Sequence, residues 1–274
     1  MLMLTNQKFV PNKNISILGC GWFGLALAKE LIKSGDQVKG STTTPEKLSL
    51  LAEEGIQPFL VNFSADQMVT DLEFFDADVL FICIPPKRNS PELNDYAQKI
   101  ASILSVAKNK VSNIILISST SVYGDGNQII NEMSETKPDT DSGKVVLAAE
   151  ELLKKEMPDH FTIIRFAGLI GPDRNPGRFF AGKTNIPNGL APVNLIHQTD
   201  AVGIAMAIIE KQACGRIYNA CSPDHPSRKE FYTTAAKNTG LVVPEFISEK
   251  KDWKVVESVN VPKYLNYEFQ VEIA

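Results

Sequence analysis

Short runs of apolar residues alternate along the chain with longer stretches in which apolar positions recur every three or four residues. The first run, Ile15 to Leu18, precedes the helical pattern Leu25 to Ser34; next come Gln37 to Ser41 with Pro45 to Glu54, then Pro58 to Asn62, then Val79 to Ile84 with Pro91 to Ala107. The alternation continues through Ile114 to Ser118, Val145 to Glu156, Thr162 to Phe166, Ala201 to Lys211 and Arg216 to Ala220. The strand-like runs are continuously apolar instead of alternating, as strands buried on both faces by helices must be. Right-handed crossovers place a helix over each strand pair. The pattern therefore predicts an α/β fold with a doubly wound parallel sheet.

Two regions break this rhythm. Residues 168 to 194 hold Gly168, Gly171, Pro172, Pro176, Gly177, Gly182, Pro187, Gly189 and Pro192, too many breakers for long regular elements. After Ser222 the chain resumes with one helix and irregular strands. In an open α/β sheet the ligand crevice lies beyond the carboxyl ends of the strands, so segments leaving those ends would cover it. The expected division is residues 12–169 with 195–221 as a dinucleotide-binding domain, and residues 170–194 with 222–274 as a small α+β lobe over the substrate.

Composition narrows the partners. The 274 residues are 43% hydrophobic and 22% charged, and 28 basic against 32 acidic residues give a charge of −4 with no long single-sign run. No nucleic-acid partner is expected from that balance. The apolar stretches fall well short of the ~20 residues that span a bilayer, and the N-terminus lacks the basic, apolar and small-residue order of a secretory signal. No membrane association and a cytoplasmic location are expected. Four scattered cysteines and three histidines, none at i,i+4 from another, suggest neither a disulfide framework nor a metal site.

Directly after the first predicted strand comes Gly19-Cys20-Gly21-Trp22-Phe23-Gly24, the G-x-G-x-x-G spacing, with a helix following. Gly19 permits the tight turn, Gly21 lets backbone approach a pyrophosphate, and Gly24 allows the helix to pack on the strand. The helix N-terminus offers free N–H groups and a partial positive charge to the anion. At the end of the second strand, where NAD sites usually place an acid, the chain reads Ser41-Thr42-Thr43-Thr44-Pro45-Glu46-Lys47. Hydroxyls at Ser41, Thr42 and Thr43 with Lys47 behind them suit a 2′-phosphate, so NADP is the expected cofactor and NAD the alternative. The structural alternative is that Thr44 caps a helix begun at Pro45 while Lys47 is solvated. Ile84 and Pro85, at the end of the fourth strand, complete the expected cofactor wall.

The sequence Ile117-Ser118-Ser119-Thr120-Ser121-Val122-Tyr123-Gly124 resembles the fifth strand of the extended short-chain dehydrogenase/reductases, the NAD-dependent epimerase/dehydratase group. Leu147-Ala148-Ala149-Glu150, Arg165-Phe166-Ala167-Gly168-Leu169-Ile170-Gly171-Pro172, and Asn194 to Ala201 are similar to later landmarks of that group in the same order. The resemblance implies a Rossmann fold, a nicotinamide cofactor touching Ser118, and a substrate oxygen oriented by Ser119. It also implies a Tyr and a Lys four residues apart on the next helix, where the lysine lowers the phenol pKa and the tyrosinate exchanges the proton. Counting from the landmarks, the tyrosine position falls on Ser142 and the lysine position on Val146, so the chain is similar to the atypical subgroup that lacks the pair. Lys144 lies about 200° around the helix from Val146 and should face away. A shifted acid/base role for Tyr123 is the remaining catalytic candidate from that motif, although it more often shapes the pocket.

Candidate substrate contacts are Lys87, Arg174, Arg178 and His197. Lys87 and Arg88 follow the fourth strand, Arg174 and Arg178 lie where relatives hold phosphates of nucleotide substrates, and each has a solvated-loop alternative. His197 has the alternative of bonding to backbone. The leading reading is an NAD(P)-binding oxidoreductase or isomerase acting on a small carbonyl or sugar-like substrate, as a monomer or homodimer. The competing reading is a non-catalytic cofactor-dependent sensor or scaffold. A Rossmann methyltransferase or flavoenzyme is weaker, because the motifs after the fifth strand match neither.

Overall fold

The computed structural model describes residues 12–63, 68–87 and 90–274; Arg88 lies outside them. Seven strands form one sheet: β1 (Asn14–Leu18), β2 (Gln37–Thr42), β3 (Gln57–Leu60), β4 (Ala77–Ile82), β5 (Val111–Ser119), β6 (Phe161–Phe166) and β7 (Ile217–Ala220). Their spatial order is β7-β6-β5-β4-β1-β2-β3, and every neighbouring pair is parallel. The continuously apolar strands owe their pattern to this: Ile15, Ile17, Leu80, Phe81, Ile114, Ile115, Ile163 and Ile164 are wholly buried between two helical layers. The predicted doubly wound α/β architecture is the observed one.

The helices are α1 (Trp22–Lys33), α2 (Leu48–Glu53), α3 (Tyr96–Ala107), α4 (Asp141–Glu156), the single turn α5 (Gly177–Phe180), α6 (Gln198–Glu210) and α7 (Arg228–Asn238). α1 pairs with α6 and α3 with α4. The carboxyl ends of α1, α2, α3, α4 and α6 agree with the apolar periodicity to within one residue, but α1, α4 and α6 begin three or four residues before Leu25, Val145 and Ala201, while α2 and α3 begin three and five residues after Pro45 and Pro91. The glycine motif itself supplies the first turn of α1. Two short parallel pairings escape any local pattern: Gly168–Ile170 with Leu195–His197, and Gln128–Ile130 with Lys254–Val256. Each joins segments far apart in the chain, so no neighbouring residues announce it. Among the described residues no helix is long and apolar enough to cross a membrane.

A second apolar cluster of Ile170, Val193, Leu195, Phe231, Tyr232 and Ile273, with Phe180 and Phe246 against it, stands apart from the main core. It joins Ile170, Phe180 and Val193 to Phe231, Tyr232, Phe246 and Ile273, together with Leu195. The tail divides differently from the expected boundary at 222: Val256, Val261 and Leu265 are buried in the main core, with Tyr264, Tyr267 and Phe269 packed on it. Asp200, buried in the first turn of α6, explains the return. Its carboxylate accepts from the Tyr267 hydroxyl at 3.0 Å and from the Gln270 and Val271 N–H groups at 2.7 and 3.2 Å. A buried carboxylate needs such donors, and the tail supplies them.

A polar network runs through the β5–β6–β7 side of the core. Arg165 holds Glu150 in a two-pronged ion pair, Nε to Oε1 at 2.9 Å and Nη2 to Oε2 at 2.5 Å, with both side chains essentially inaccessible. Ser118 Oγ donates to Glu150 Oε1, and Arg165 Nη1 donates to the Tyr123 hydroxyl at 2.6 Å. The Tyr123 oxygen lies 3.0 Å from the Asn131 carbonyl and 3.1 Å from Asn219 Oδ1, which share its one proton. The network thereby ties β5, α4, β6 and β7 together.

Candidate functional site

The strand order reverses between β1 and β4, the point at which an open α/β sheet forms a crevice at its carboxyl ends. The turn from β1 into α1 sits there. Gly19 has φ +99°, a left-handed conformation that few other residues adopt. A Cβ on Gly24 would stand 2.3 Å from the Gly19 carbonyl oxygen, so the helix could not close onto the loop. A Cβ on Gly21 would meet nothing within 4 Å, because that position faces open groove. Gly21 is also the N-cap of α1 and offers no side chain to its first-turn N–H groups. Uncapped donors, the positive end of a helix and a backbone free of side chains form a cradle that fits a pyrophosphate.

Two cavities flank this loop and share Gly21, Ile84 and Pro85 in their walls, so they form one groove across it. On the β2 side, about 690 Å³ is lined by Gly19, Ser41, Thr42, Thr43, Lys47 and Lys87 among others. Ser41 lines this cavity and also braces the loop: its buried hydroxyl accepts from the Gly19 N–H at 2.8 Å and keeps its own proton to donate. Thr42 Oγ1 accepts from the Thr44 N–H at 3.1 Å. Thr44 precedes a single 3-10 turn at Pro45–Lys47 but its side chain caps nothing. Thr43 and Lys47 are exposed, and among the described residues Lys47 makes no ion pair. Lys87 pairs with Glu92 at 2.7 Å. Lys99 of α3, which no motif in the sequence marks, lines the same cavity.

On the β5 side, about 820 Å³ is lined by Trp22, Phe23, Gly24, Ser118, Ser119, Val146 and Arg174, among others. Ser119 Oγ accepts from the Ser121 N–H at 3.1 Å, which fixes the hydroxyl while leaving its proton free to be donated. Val146 lines the cavity where the resemblance calls for lysine, an apolar wall in place of an ammonium. Ser142 is outside that lining, and Lys144 is exposed and bonded to Asp141 at 3.0 Å, facing away as its helical offset requires. Gly143 lets α4 approach so closely, since a Cβ there would stand 2.3 Å from the Ser121 carbonyl oxygen.

Tyr123 is not brought into the groove. It is buried, its hydroxyl is committed to the polar network, and burial pushes its phenol above the ordinary value against the opposing pull of Arg165. A proton-exchanging tyrosinate needs the opposite shift, so the structure makes Tyr123 a supporting residue. Arg174 does reach the cavity, its guanidinium 4.3 Å from the centre of the Trp22 ring, while the indole N–H donates to the Pro172 carbonyl at 2.6 Å. Arg178 is exposed and lines neither cavity. His197 caps α6, its Nδ1 accepting from the Thr199 N–H at 3.2 Å. Sequence reasoning missed Lys254, Asn194 and Ser121, which also line the β5-side cavity. Lys254 is delivered by the pairing of Lys254–Val256 with Gln128–Ile130, for which the sequence carries no local signal.

Burial pushes the thiols of Cys20 and Cys221 up to about 12 from 9.0. Both are therefore expected to resist Ellman's reagent near neutral pH in the folded protein and to react once it is unfolded. Because their folded values exceed the unfolded one, the stability they confer is complete below about pH 9 and is lost as pH rises toward 12. Urea unfolding across that window should show a falling midpoint.

The fold and groove define a Rossmann-type α/β protein of the epimerase and short-chain dehydrogenase/reductase architecture. A UDP-glucuronic acid 4-epimerase from Bacillus cereus solved with NAD superposes with a TM-score of 0.78 at 20% identity, covering 95% of this chain and 93% of that one. A UDP-N-acetylglucosamine 4-epimerase from the same organism gives 0.78 at 17% identity over 96% of each. Residues 14–116 match the family described as NADP oxidoreductase, coenzyme F420-dependent. Protein YeeZ of Escherichia coli K12 is 36% identical over 264 residues, 94% of this chain and 96% of that protein. The chain belongs to the YeeZ family.

Proposed function

We propose that the protein is a nicotinamide-dinucleotide-dependent oxidoreductase or isomerase of the epimerase/dehydratase kind, preferring NADP and acting on a small carbonyl or sugar-like substrate. The observation that carries this reading is the single groove across the glycine loop, with room for a dinucleotide and a second ligand. A cofactor-dependent scaffold has no need of that second volume. The family matched over residues 14–116 is described as an NADP oxidoreductase, coenzyme F420-dependent, and the UDP-glucuronic acid 4-epimerase was solved with NAD.

When bound, the dinucleotide supplies or accepts hydride at the nicotinamide. The chain's own residues do the rest. The first-turn N–H groups of α1 hold the pyrophosphate, and Thr43, Lys47 and Lys99 meet a 2′-phosphate at the outer end. Phe23, Ile84, Pro85 and Phe166 give apolar walls that exclude water at the inner end. Ser119 donates a hydrogen bond to a substrate oxygen and orients it. With valine at position 146 and serine at 142 the chain has no tyrosine–lysine pair, and a missing general acid/base costs ~10²–10⁴ in rate. A substrate that brings its own ionisable group to the site would suffer least.

Titration of NADPH and NADH against the fluorescence of Trp22, with calorimetry alongside, tests the cofactor. NADPH should bind more tightly, and Lys47→Ala should weaken NADPH about tenfold while leaving NADH unchanged, the scale of one charge-assisted bond to phosphate. No response to either dinucleotide would overturn the reading. In a screen of carbonyl and nucleotide-sugar substrates for NADPH oxidation, Ser119→Ala should lower turnover; unchanged turnover would remove Ser119 from the chemistry.

A further inference from the structure

The β5-side cavity is lined by two cations, Arg174 and Lys254, and by no carboxylate. The two reach it from unrelated parts of the chain. Arg174 lies on the Trp22 ring beside the phosphate loop, whereas Lys254 comes from the tail and is only 14% exposed. Its Nζ donates to the Tyr123 carbonyl at 2.6 Å and pairs with Asp125 Oδ1 at 2.9 Å. An ammonium has three N–H donors, so one remains. Asn194, also in the wall, fixes the strand that carries Lys254: its Nδ2 donates to the Lys254 carbonyl at 2.9 Å and its Oδ1 accepts from the Val256 N–H at 2.8 Å.

A second observation concerns the same wall. Ser121, two residues before the carbonyl that holds Lys254, lines the cavity with an Oγ that is buried and bonded to nothing. Buried hydroxyls are ordinarily satisfied, so Ser121 carries an unused hydrogen-bonding group in the segment that forms this wall. A mostly buried cation with one N–H donor left over from the Tyr123 carbonyl and Asp125, an unsatisfied hydroxyl in the same wall and no acid among the lining residues together suit an oxyanion.

We infer that Lys254 and Ser121 form an anion-binding subsite that holds the carboxylate or phosphate group of a small substrate beside Ser119. This rests on the groove being the dinucleotide and substrate site proposed above and names the substrate class: an acid, not a neutral sugar or ketone. The anion anchors one end of the substrate while the Ser119 hydroxyl meets the oxygen at the other.

The test uses the full chain, with and without saturating NADPH, and three probes: oxalate for carboxylates, inorganic phosphate for phosphates, and oxamide as the neutral counterpart of oxalate. Binding is read by calorimetry and Trp22 fluorescence. Oxalate, phosphate or both should bind wild type in the presence of NADPH. Lys254→Met should weaken that binding at least about tenfold, Lys254→Arg should largely restore it, and Ser121→Ala should weaken it less. Oxamide should show no dependence on Lys254. The responding anion identifies carboxylate or phosphate as the group recognised. Anion binding that is equal in wild type, Lys254→Met and Ser121→Ala overturns the subsite, as does failure of both anions to bind wild type. Thermal melts of each variant report folding, and Ser121→Ala, which removes an unbonded oxygen, keeps the test open if Lys254→Met does not fold. NADPH titration of the same samples reports on the cofactor reading alone: dinucleotide binding without anion binding defeats only the subsite, and Lys254-dependent anion binding without dinucleotide binding defeats only the cofactor.

Discussion

Glu150→Ala is expected to destabilise the protein by about 3–5 kcal/mol, enough to leave little of a typical domain's stability. The reason is what remains. Arg165 would keep its guanidinium in the core with its two-pronged partner gone, and Ser118 would lose the acceptor for its hydroxyl. Breaking a buried pair on one side strands a charge, whereas replacing both members with apolar residues of similar size is often close to neutral. Glu150→Leu combined with Arg165→Met should therefore be markedly more stable than Glu150→Ala, although Tyr123 would still lack its donor. Urea unfolding of the three proteins checks this. If Glu150→Ala costs no more than a surface substitution, roughly 0.5 kcal/mol, the network does not hold this side of the sheet.

Gly21→Asp should have the opposite profile, losing dinucleotide affinity by roughly 10²-fold or more while leaving the unfolding midpoint nearly unchanged. The glycine has an extended backbone at φ −82°, which other residues adopt, and its Cβ position is open space. The fold should accept the side chain. The pyrophosphate should not, because a carboxylate at the helix N-terminus occupies its place and juxtaposes like charges, a penalty of several kcal/mol. Gly24→Ala provides the contrast: its Cβ would press on the Gly19 carbonyl, so affinity and stability should fall together. Undiminished NADPH binding by Gly21→Asp would place the cofactor elsewhere.

The motifs that carry the resemblance have different physical meanings. Gly19, Gly21 and Gly24 are legible because the chemistry of a phosphate loop requires consecutive residues at fixed spacing, and the structure places them at the crevice. Glu150 and Arg165 are equally legible as landmarks, yet they form the buried ion pair and touch no ligand cavity. Tyr123 belongs with them. Ser41 lies in the wall of the outer cavity, as its place at the end of β2 leads one to expect, and its hydroxyl in addition supports the loop by accepting from the Gly19 N–H. Val146 is a position found by counting and placed in the wall of the inner cavity, where it offers no charge.

The sequence by itself determined the doubly wound α/β class, the glycine loop and its helix, and that no tyrosine is followed by a lysine four residues on. These are properties of residues close together in the chain, where periodicity and spacing act directly. Only the tertiary structure decided that the tail returns to the main core, that Lys99 joins the outer cavity, and that Lys254 and Ser121 share the wall of the inner one. Those facts depend on contacts between distant segments, such as Lys254 with the Tyr123 carbonyl 131 residues earlier and Asp200 with the N–H groups of Gln270 and Val271. A lysine in a polar tail reads as a solvated charge until a strand pairing carries it into the groove, and such pairings are set by burial and backbone hydrogen bonding across the whole fold.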